Sequence, residues 1–323
     1  MSGMTSTHDT SAAPELDVLV AGGGAAGLAA AVTLARSRRT VTVVDSGSPR
    51  NAPAEGVHAL LGREGISPAE LLAAGRREVA DYGGEILDGE ITAVRRLEDG
   101  RFEATLAGSA GAVLTAKNLL IATGLTDELP EIPGLAEHWG RDVIHCPYCH
   151  GWEVRDRSIL VLGTSPNSVH QAMLFSQLSD DVTFLAHSGP VDAEGARTLQ
   201  TLGIEVVEGQ AAGVEVGSGA DVEAQEGRVA GIRLADGTVV PAEVIVVAPR
   251  MLARAEVFED LGLQMEENPM GRFIAVDAAG GTGVPGVWAA GNVADLSAQV
   301  GAAAAAGTMA AARLNAELVM ERL

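Results

Sequence analysis

The apolar positions of this chain fall in short runs punctuated by glycine, and the runs change period along the sequence. Residues 16–21 read LDVLVA and end at Gly22-Gly23-Gly24-Ala25-Ala26-Gly27. Residues 28–36 are then Ala- and Leu-rich at helical spacing, and residues 41–44 form a second apolar run that closes on Asp45. Short apolar runs bounded by turn residues predict buried strands, so this segment reads strand, glycine turn, helix, strand. Residues 90–97 and 101–106 flank Asp99-Gly100 and predict a hairpin, and residues 118–122 predict a strand ending at Thr123-Gly124. A second strand, turn and helix follow over residues 158–163, 164–168 and 169–178, and residues 182–186 predict the next strand. Another hairpin is expected at Asp236-Gly237, with residues 243–248 as its closing strand. Finally, residues 286–292 (GVWAAGN) lead into an Ala-rich helix over residues 300–316, whose small side chains permit close packing. Two similar α/β units, the second inserted into the first, are the simplest organisation.

Composition narrows this picture. A chain of 323 residues suffices for two domains, and no apolar run approaches the length of a membrane span. The formal charge of −21 repels phosphate backbones and anionic lipid, so neither nucleic acid nor a membrane is an expected partner. Residues 1–14 have neither a cationic start nor an apolar core, fail as a signal peptide, and read as a disordered tail on a cytoplasmic protein.

The first glycine turn sits where a dinucleotide-binding turn must, between a strand and a helix with an acid after the next strand. Gly22 permits the turn, Gly24 lets the backbone approach a pyrophosphate, and Gly27 lets helix and strand pack closely. Free N–H groups at the helix start, around Ala26, face the phosphates, and Asp45 is placed to accept from ribose hydroxyls. The competing reading is a glycine turn that binds nothing.

The chain has two cysteines, three positions apart in Cys146-Pro147-Tyr148-Cys149. A lone C-x-x-C in an intracellular α/β chain is redox-active or half of a metal site. Zinc sites pair such a motif with a second cluster, which is lacking here, so no metal is expected. His150, next to Cys149, titrates near neutrality and is the candidate acid/base; His145 and His138 are close in sequence but read as space-filling. Trp152 reads as a packing residue below the disulfide loop. Arg50, Asn51 and His58 follow Asp45 and are placed along the nucleotide, with chance surface placement the alternative for His58.

Together these residues resemble the thioredoxin-reductase family of two-domain flavoproteins, from about Asp17 onward. GGGAAG is similar to that family's FAD pyrophosphate loop, IATG at residues 121–124 to its return strand, CPYC to its redox disulfide and GVWAAGNVAD at residues 286–295 to its second flavin motif. The resemblance implies two Rossmann-like three-layer nucleotide-binding domains. One is an FAD-binding domain over residues 15–126 and 251–323, and the other an inserted NADPH-domain-like unit over residues 127–250. It implies FAD, a homodimer, and cofactor contacts at Thr123, Gly124, Gly291 and Asn292. The last helix is expected to aim the N–H groups near Gln299 and Val300 at the flavin pyrimidine. By the same resemblance Cys149 faces the flavin and Cys146 meets substrate.

Two departures point away from a reductase. The second turn, Gly163-Thr164-Ser165-Pro166-Asn167-Ser168, replaces the middle glycine of an NADPH turn by Ser165, and Pro166 removes an N–H. The stretch from His187 has no arginine before Arg197 to pair with a 2′-phosphate, so the NADPH site reads as degenerate. CPYCHGWE at residues 146–153 is similar to the small-molecule dithiol oxidases that close the disulfides of holomycin, gliotoxin and romidepsin. The expected partners are then a small dithiol of the dithiolopyrrolone type, in antibiotic biosynthesis, and O2. A thioredoxin-like disulfide reductase fed by NAD(P)H or another donor, and a non-catalytic flavin redox sensor, are the competing functions.

Overall fold

The computed structural model describes residues 16–108, 112–165, 167–189, 191–217, 227–321 and 323. The expected tail over residues 1–14 and the missing N–H of Pro166 lie outside the described residues.

The first sheet runs in the order Glu85–Asp88, Val41–Asp45, Leu16–Ala21, Val113–Ile121, Phe102–Leu106, Ile91–Arg96. Its apolar runs are buried on both faces. Val18 and Val20 enter one core with Ala30, Leu34 and Leu314, while Leu19 and Ala21 enter another with Phe102, Ile121 and Phe258. That alternation is what a central strand covered on two sides requires. Each fully buried Leu, Val or Phe in these layers contributes about 1.5–3 kcal/mol.

The nine-residue strand Val113–Ile121 serves two partners along one edge. Val113 to Ala116 pair antiparallel with the hairpin strand Phe102–Leu106, and Leu119 to Ile121 pair parallel with Val287–Ala289. The C-terminal segment thereby joins the first sheet. It carries the helix Val300–Met320, longer than expected, against the helix Ala25–Arg36, which starts before residue 28. The two approach so closely that a Cβ on Gly307 would lie 2.0 Å from the Ala26 carbonyl oxygen. The small residues are thus a packing requirement.

The second sheet lies wholly between residues 143 and 247 and is parallel throughout, in the order Glu205–Glu208, Val182–Ala186, Ile159–Gly163, Val244–Val247, Val143–Ile144. The helices Asn167–Phe175 and Ala193–Thr201 contribute Phe175 and Leu199 to the core on one face. A three-stranded antiparallel sheet, Ala211–Val216, Val229–Leu234 and Val239–Pro241, contributes Val214, Ile232 and Val240 to the core on the other. The expected closing strand over residues 243–248 is therefore corrected: Val239–Pro241 closes the hairpin at Asp236-Gly237, and Val244–Val247 is a central strand of the parallel sheet. Its four residues are all buried, as a doubly covered strand must be.

The chain passes between the two sheets through Leu125–Glu128 and returns through Arg250–Ala253. These strands pair antiparallel, Leu125 opposite Ala253 and Glu128 opposite Arg250, so exit and return lie side by side. No described helix is long and apolar enough to cross a membrane.

Candidate active site

The three glycines of the first turn are required for three different reasons. Gly22 has φ of +106°, and a Cβ there would lie 2.4 Å from the Ala122 carbonyl oxygen. Gly27 is closed by backbone, with its Cβ position 1.9 Å from the Gly22 carbonyl oxygen. Gly24 has nothing within 4 Å of its Cβ position. Its open side faces a cavity of about 910 Å³, whose wall it forms with Gly22 and Ala26. Gly24 also caps the helix Ala25–Arg36 with no side-chain acceptor, which leaves the first N–H groups for a ligand. Gly27, expected to bind cofactor, is not on the wall; it acts by letting the helix sit against the turn.

Asp45 reaches the same cavity, but its carboxylate is already engaged. Oδ2 accepts from Arg76 at 2.8 Å, and Oδ1 accepts the Gly47 N–H at 3.2 Å. Arg76, which also pairs with Asp88, holds the acid in place and leaves it lone pairs for hydroxyl donors. Asn51, Thr123, Gly124 and Gly291 line the cavity as well. The Thr123 hydroxyl donates to the Arg254 carbonyl at 2.6 Å, which ties the return strand to the first sheet.

Gln299 and Val300 lie at the far wall. Gln299 caps the last helix in extended conformation with no side-chain cap, so this helix start also presents unspent N–H groups to the cavity. Asn292 lines the wall with its donors consumed: Nδ2 donates to the carbonyls of Asp295, Leu296 and Ala298 at 3.0, 3.5 and 2.9 Å. Only its Oδ1 remains, an acceptor for a ribityl hydroxyl and not a donor to a phosphate. An aspartate in this position would turn a carboxylate on three carbonyl oxygens, which explains the amide.

Arg50 forks onto Asp127, Nε and Nη2 each 2.7 Å from a carboxylate oxygen, and its Nη2 lies 3.5 Å from His145 Nε2. His145 stacks on Trp139 and lines the cavity, so the space-filling role expected for it is incomplete. Burial, and then the Arg50 charge, push its pKa down to about 4. It stands neutral, and the Arg50 donor at Nε2 puts its proton on Nδ1. His138, by contrast, is buried beside Asp142 and packs as expected. Arg50→Ala is expected to cost about 2 kcal/mol of stability, because it strands the nearly buried Asp127 carboxylate. Urea denaturation compared with wild type measures this.

The disulfide loop closes the cavity. Cys146 and Cys149 are bonded to each other. Cys146 caps the single turn Pro147–His150, its carbonyl accepting from the Cys149 and His150 N–H groups. Pro147, which has no N–H to lose, starts that turn. Cys149 is on the cavity wall and Cys146 is not. His150 lies on the wall too, both ring nitrogens buried and unpartnered. Burial lowers its pKa, opposed by Glu153 and assisted by His58, so the ring is neutral and able to take a proton from a thiol. His58 lines the cavity with His150 and joins Glu64 to Glu153. Trp152 is corrected: it is 66% exposed, as is Tyr148, and it carries the Arg155 guanidinium 4.1 Å above its ring.

The second turn has its first N–H groups bonded from within. Ser168 Oγ accepts the N–H groups of both Thr164 and Ser165 at 3.2 Å. A Cβ on Gly189 would lie 2.7 Å from the Ser165 nitrogen, so the loop after the next strand sits on the turn. Ser188 and Gly189 donate there to the Gly163 carbonyl. Two backbone N–H groups of this turn are thus bonded within the protein, while the Thr164 and Ser165 hydroxyls are buried without a partner among the described residues.

Asp127, His145, Arg76 and Glu64 are residues at or beside the site that no motif in the sequence marks, whereas Glu153 closes the CPYCHGWE string. The cavity itself fits FAD: two helix starts with free N–H groups, an open glycine at the turn, an acid for ribose, and a disulfide sulfur on the wall.

The thioredoxin reductase tcpT of Claviceps purpurea is 37% identical over 180 residues, which are 53% of this chain and 56% of that protein. The chain thus spans little more than half the length of that relative. The solved structure of HlmI is 43% identical with a TM-score of 0.87, covering 95% of this chain and 94% of that one. A thioredoxin reductase of Streptococcus pyogenes, 21% identical, shares the fold with a TM-score of 0.79 over 95% of this chain and 99% of its own. The family model for pyridine nucleotide-disulphide oxidoreductases matches residues 16–310, and the chain belongs to that thioredoxin-reductase-like family of oxidoreductases, whose members bind a flavin.

Proposed function

We propose that this protein is an FAD-dependent dithiol oxidase that closes an intramolecular disulfide in a small molecule of the dithiolopyrrolone type and delivers the electrons to O2. The observation that carries this reading is the second turn, whose N–H groups are bonded to Ser168 and covered by Gly189. In a flavoenzyme with a redox disulfide on its cavity, a second turn whose N–H groups are already bonded favours thiols over a nicotinamide as the electron source. The similarity of CPYCHGWE to small-molecule dithiol oxidases supports the same direction.

In this reading a substrate thiolate attacks Cys146 Sγ, which lies outside the cavity, and the Cys146–Cys149 bond breaks with Cys149 leaving as thiolate. The second substrate thiol, deprotonated in turn, attacks the substrate sulfur of the mixed disulfide. The cyclic product departs, and Cys146 and Cys149 hold the electron pair as a dithiol. FAD held in the cavity would supply the acceptor for that pair, with O2 and two protons as the co-reactants that leave as H2O2. His150 accepts the thiol protons from its place on the wall, neutral and without a competing partner. Gly24 and the free helix N–H groups hold the pyrophosphate, Asp45 the ribose, and the start of the last helix the flavin ring. By the family resemblance, the enzyme acts as a homodimer in the cytoplasm.

His150→Ala is expected to slow thiol oxidation about a hundredfold at pH 7 and much less at pH 9, where thiolates form unaided. Stopped-flow traces of flavin bleaching across that range measure it; an equal loss at both values assigns His150 to packing.

The Claviceps purpurea relative, a thioredoxin reductase by name, favours a second reading, a thioredoxin-like disulfide reductase drawing on NAD(P)H or another donor. Rapid anaerobic mixing separates the two. Dithiothreitol is expected to bleach the flavin while NADPH leaves it oxidised, and fast bleaching by NADPH overturns the oxidase assignment.

A further inference from the structure

The walls of the cavity are rich in carboxylates. Asp45, Glu90, Asp127 and Glu256 all line it, in a chain whose formal charge is −21, so the field there opposes an anionic ligand. Two arginines stand on the same wall, Arg50 and Arg254. Arg50 spends its charge on Asp127, with Nε and Nη2 each 2.7 Å from a carboxylate oxygen. Arg254 has neutral partners: Nε donates to the Thr126 hydroxyl at 3.1 Å, and Nη1 donates to the Ser48 carbonyl at 3.2 Å. Among the described residues no carboxylate pairs with it.

The place of Arg254 is fixed by its backbone. Its carbonyl accepts the Thr123 hydroxyl at 2.6 Å, and its N–H donates to the Gly124 carbonyl at 3.0 Å. Thr123 in turn abuts the glycine turn, since a Cβ on Gly22 would lie 3.1 Å from its Cα. From there the side chain extends to Ser48, three residues past Asp45. Arg254 thus bridges the segment beside the glycine turn and the segment beyond the acid placed for ribose. In a dinucleotide held by those two elements, the group between the helix start and the ribose is the pyrophosphate.

We propose that Arg254 binds the pyrophosphate of FAD. A guanidinium carries five N–H donors, and the bonds to Thr126 and Ser48 leave three of them, on Nη1 and Nη2, for a ligand. That pair of nitrogens is a fork matched to two phosphate oxygens. The helix start behind Gly24 supplies only about half a positive charge, less than a pyrophosphate dianion carries. Arg254 adds a full one on a wall where the other guanidinium is already neutralised by Asp127. The inference rests on FAD as the cofactor and depends on neither the substrate nor the electron acceptor.

Equilibrium dilution of the flavin-loaded full chain, with free FAD counted by its fluorescence in the ultrafiltrate, tests it. Arg254→Ala is expected to raise the Kd for FAD about tenfold to a hundredfold at about 0.05 M salt, as the loss of charge-assisted bonds requires. At about 0.5 M salt the factor is expected to shrink, because the lost interaction is screened in the wild type. Arg254→Lys, which keeps the charge without the fork, is expected to fall between wild type and Arg254→Ala. Should Arg254→Ala unfold, Arg254→Gln, which keeps a donor and drops the charge, carries the test. Wild-type affinity in the neutral variant overturns the proposal, and so does a loss of equal size at both salt concentrations, which assigns Arg254 to packing. A wild type that holds no FAD overturns the cofactor reading together with this one.

Discussion

Cys149→Ser is expected to retain FAD and to lose flavin bleaching by dithiols, with the rate falling about a thousandfold or more, as for removal of a covalent nucleophile. The reason is positional: among the two bonded sulfurs only Cys149 is on the cavity wall. Cys146→Ser removes the sulfur outside the cavity and should fail at an earlier stage, with no mixed disulfide formed with substrate. Anaerobic single-turnover spectra and intact mass spectra distinguish the stages. Full turnover by either variant refutes the division of labour.

Gly27→Ala has the second large expected effect, and it acts with no contact to the ligand. The added Cβ would lie 1.9 Å from the Gly22 carbonyl oxygen, and only a shift of the helix Ala25–Arg36 away from the turn relieves it. Overpacking of this kind costs about 1–3 kcal/mol. The same shift displaces the helix N–H groups from the phosphate position, so the variant is expected to purify with little flavin. Thermal unfolding and the visible spectrum of the purified protein check both effects. A yellow protein of wild-type stability contradicts the packing role.

Much of the first unit is legible because its signals are local. Strand, glycine turn and helix occupy adjacent residues, and the conformation of each is dictated by its own side chains. The cavity brings Gly22, Gly24, Ala26, Asp45, Arg50, Asn51 and His58 together with Thr123, Gly124, Gly291, Asn292, Gln299, Val300, Cys149 and His150. What the sequence conceals is brought in by tertiary contact. Arg76 reaches Asp45 across 31 positions, Asp127 reaches Arg50 across 77, and His145 reaches Arg50 across 95.

The misreadings also have physical causes. Residues 243–248 look like the end of a hairpin because the real closing strand, Val239–Pro241, is only three residues long and ends at a proline. An apolar run buried on both sides is the mark of a parallel interior strand. Trp152 looks like core by size, yet the loop enters the interior through Gly151, whose Cβ position is 2.2 Å from the Pro147 carbonyl oxygen and 2.4 Å from Leu178. With that space closed, the following indole is turned to solvent.

The central claim is that electrons enter from a thiol and leave to oxygen across the wall formed by Cys149. Anaerobic titration of the purified flavoprotein with one equivalent of a small dithiol, followed by admission of air with peroxide and disulfide both counted, tests it directly. The account predicts that the flavin bleaches, regains its colour in air, and yields one H2O2 for each cyclic disulfide without any nicotinamide. A flavin that stays oxidised under dithiol, or one that bleaches and does not recover in air, contradicts it.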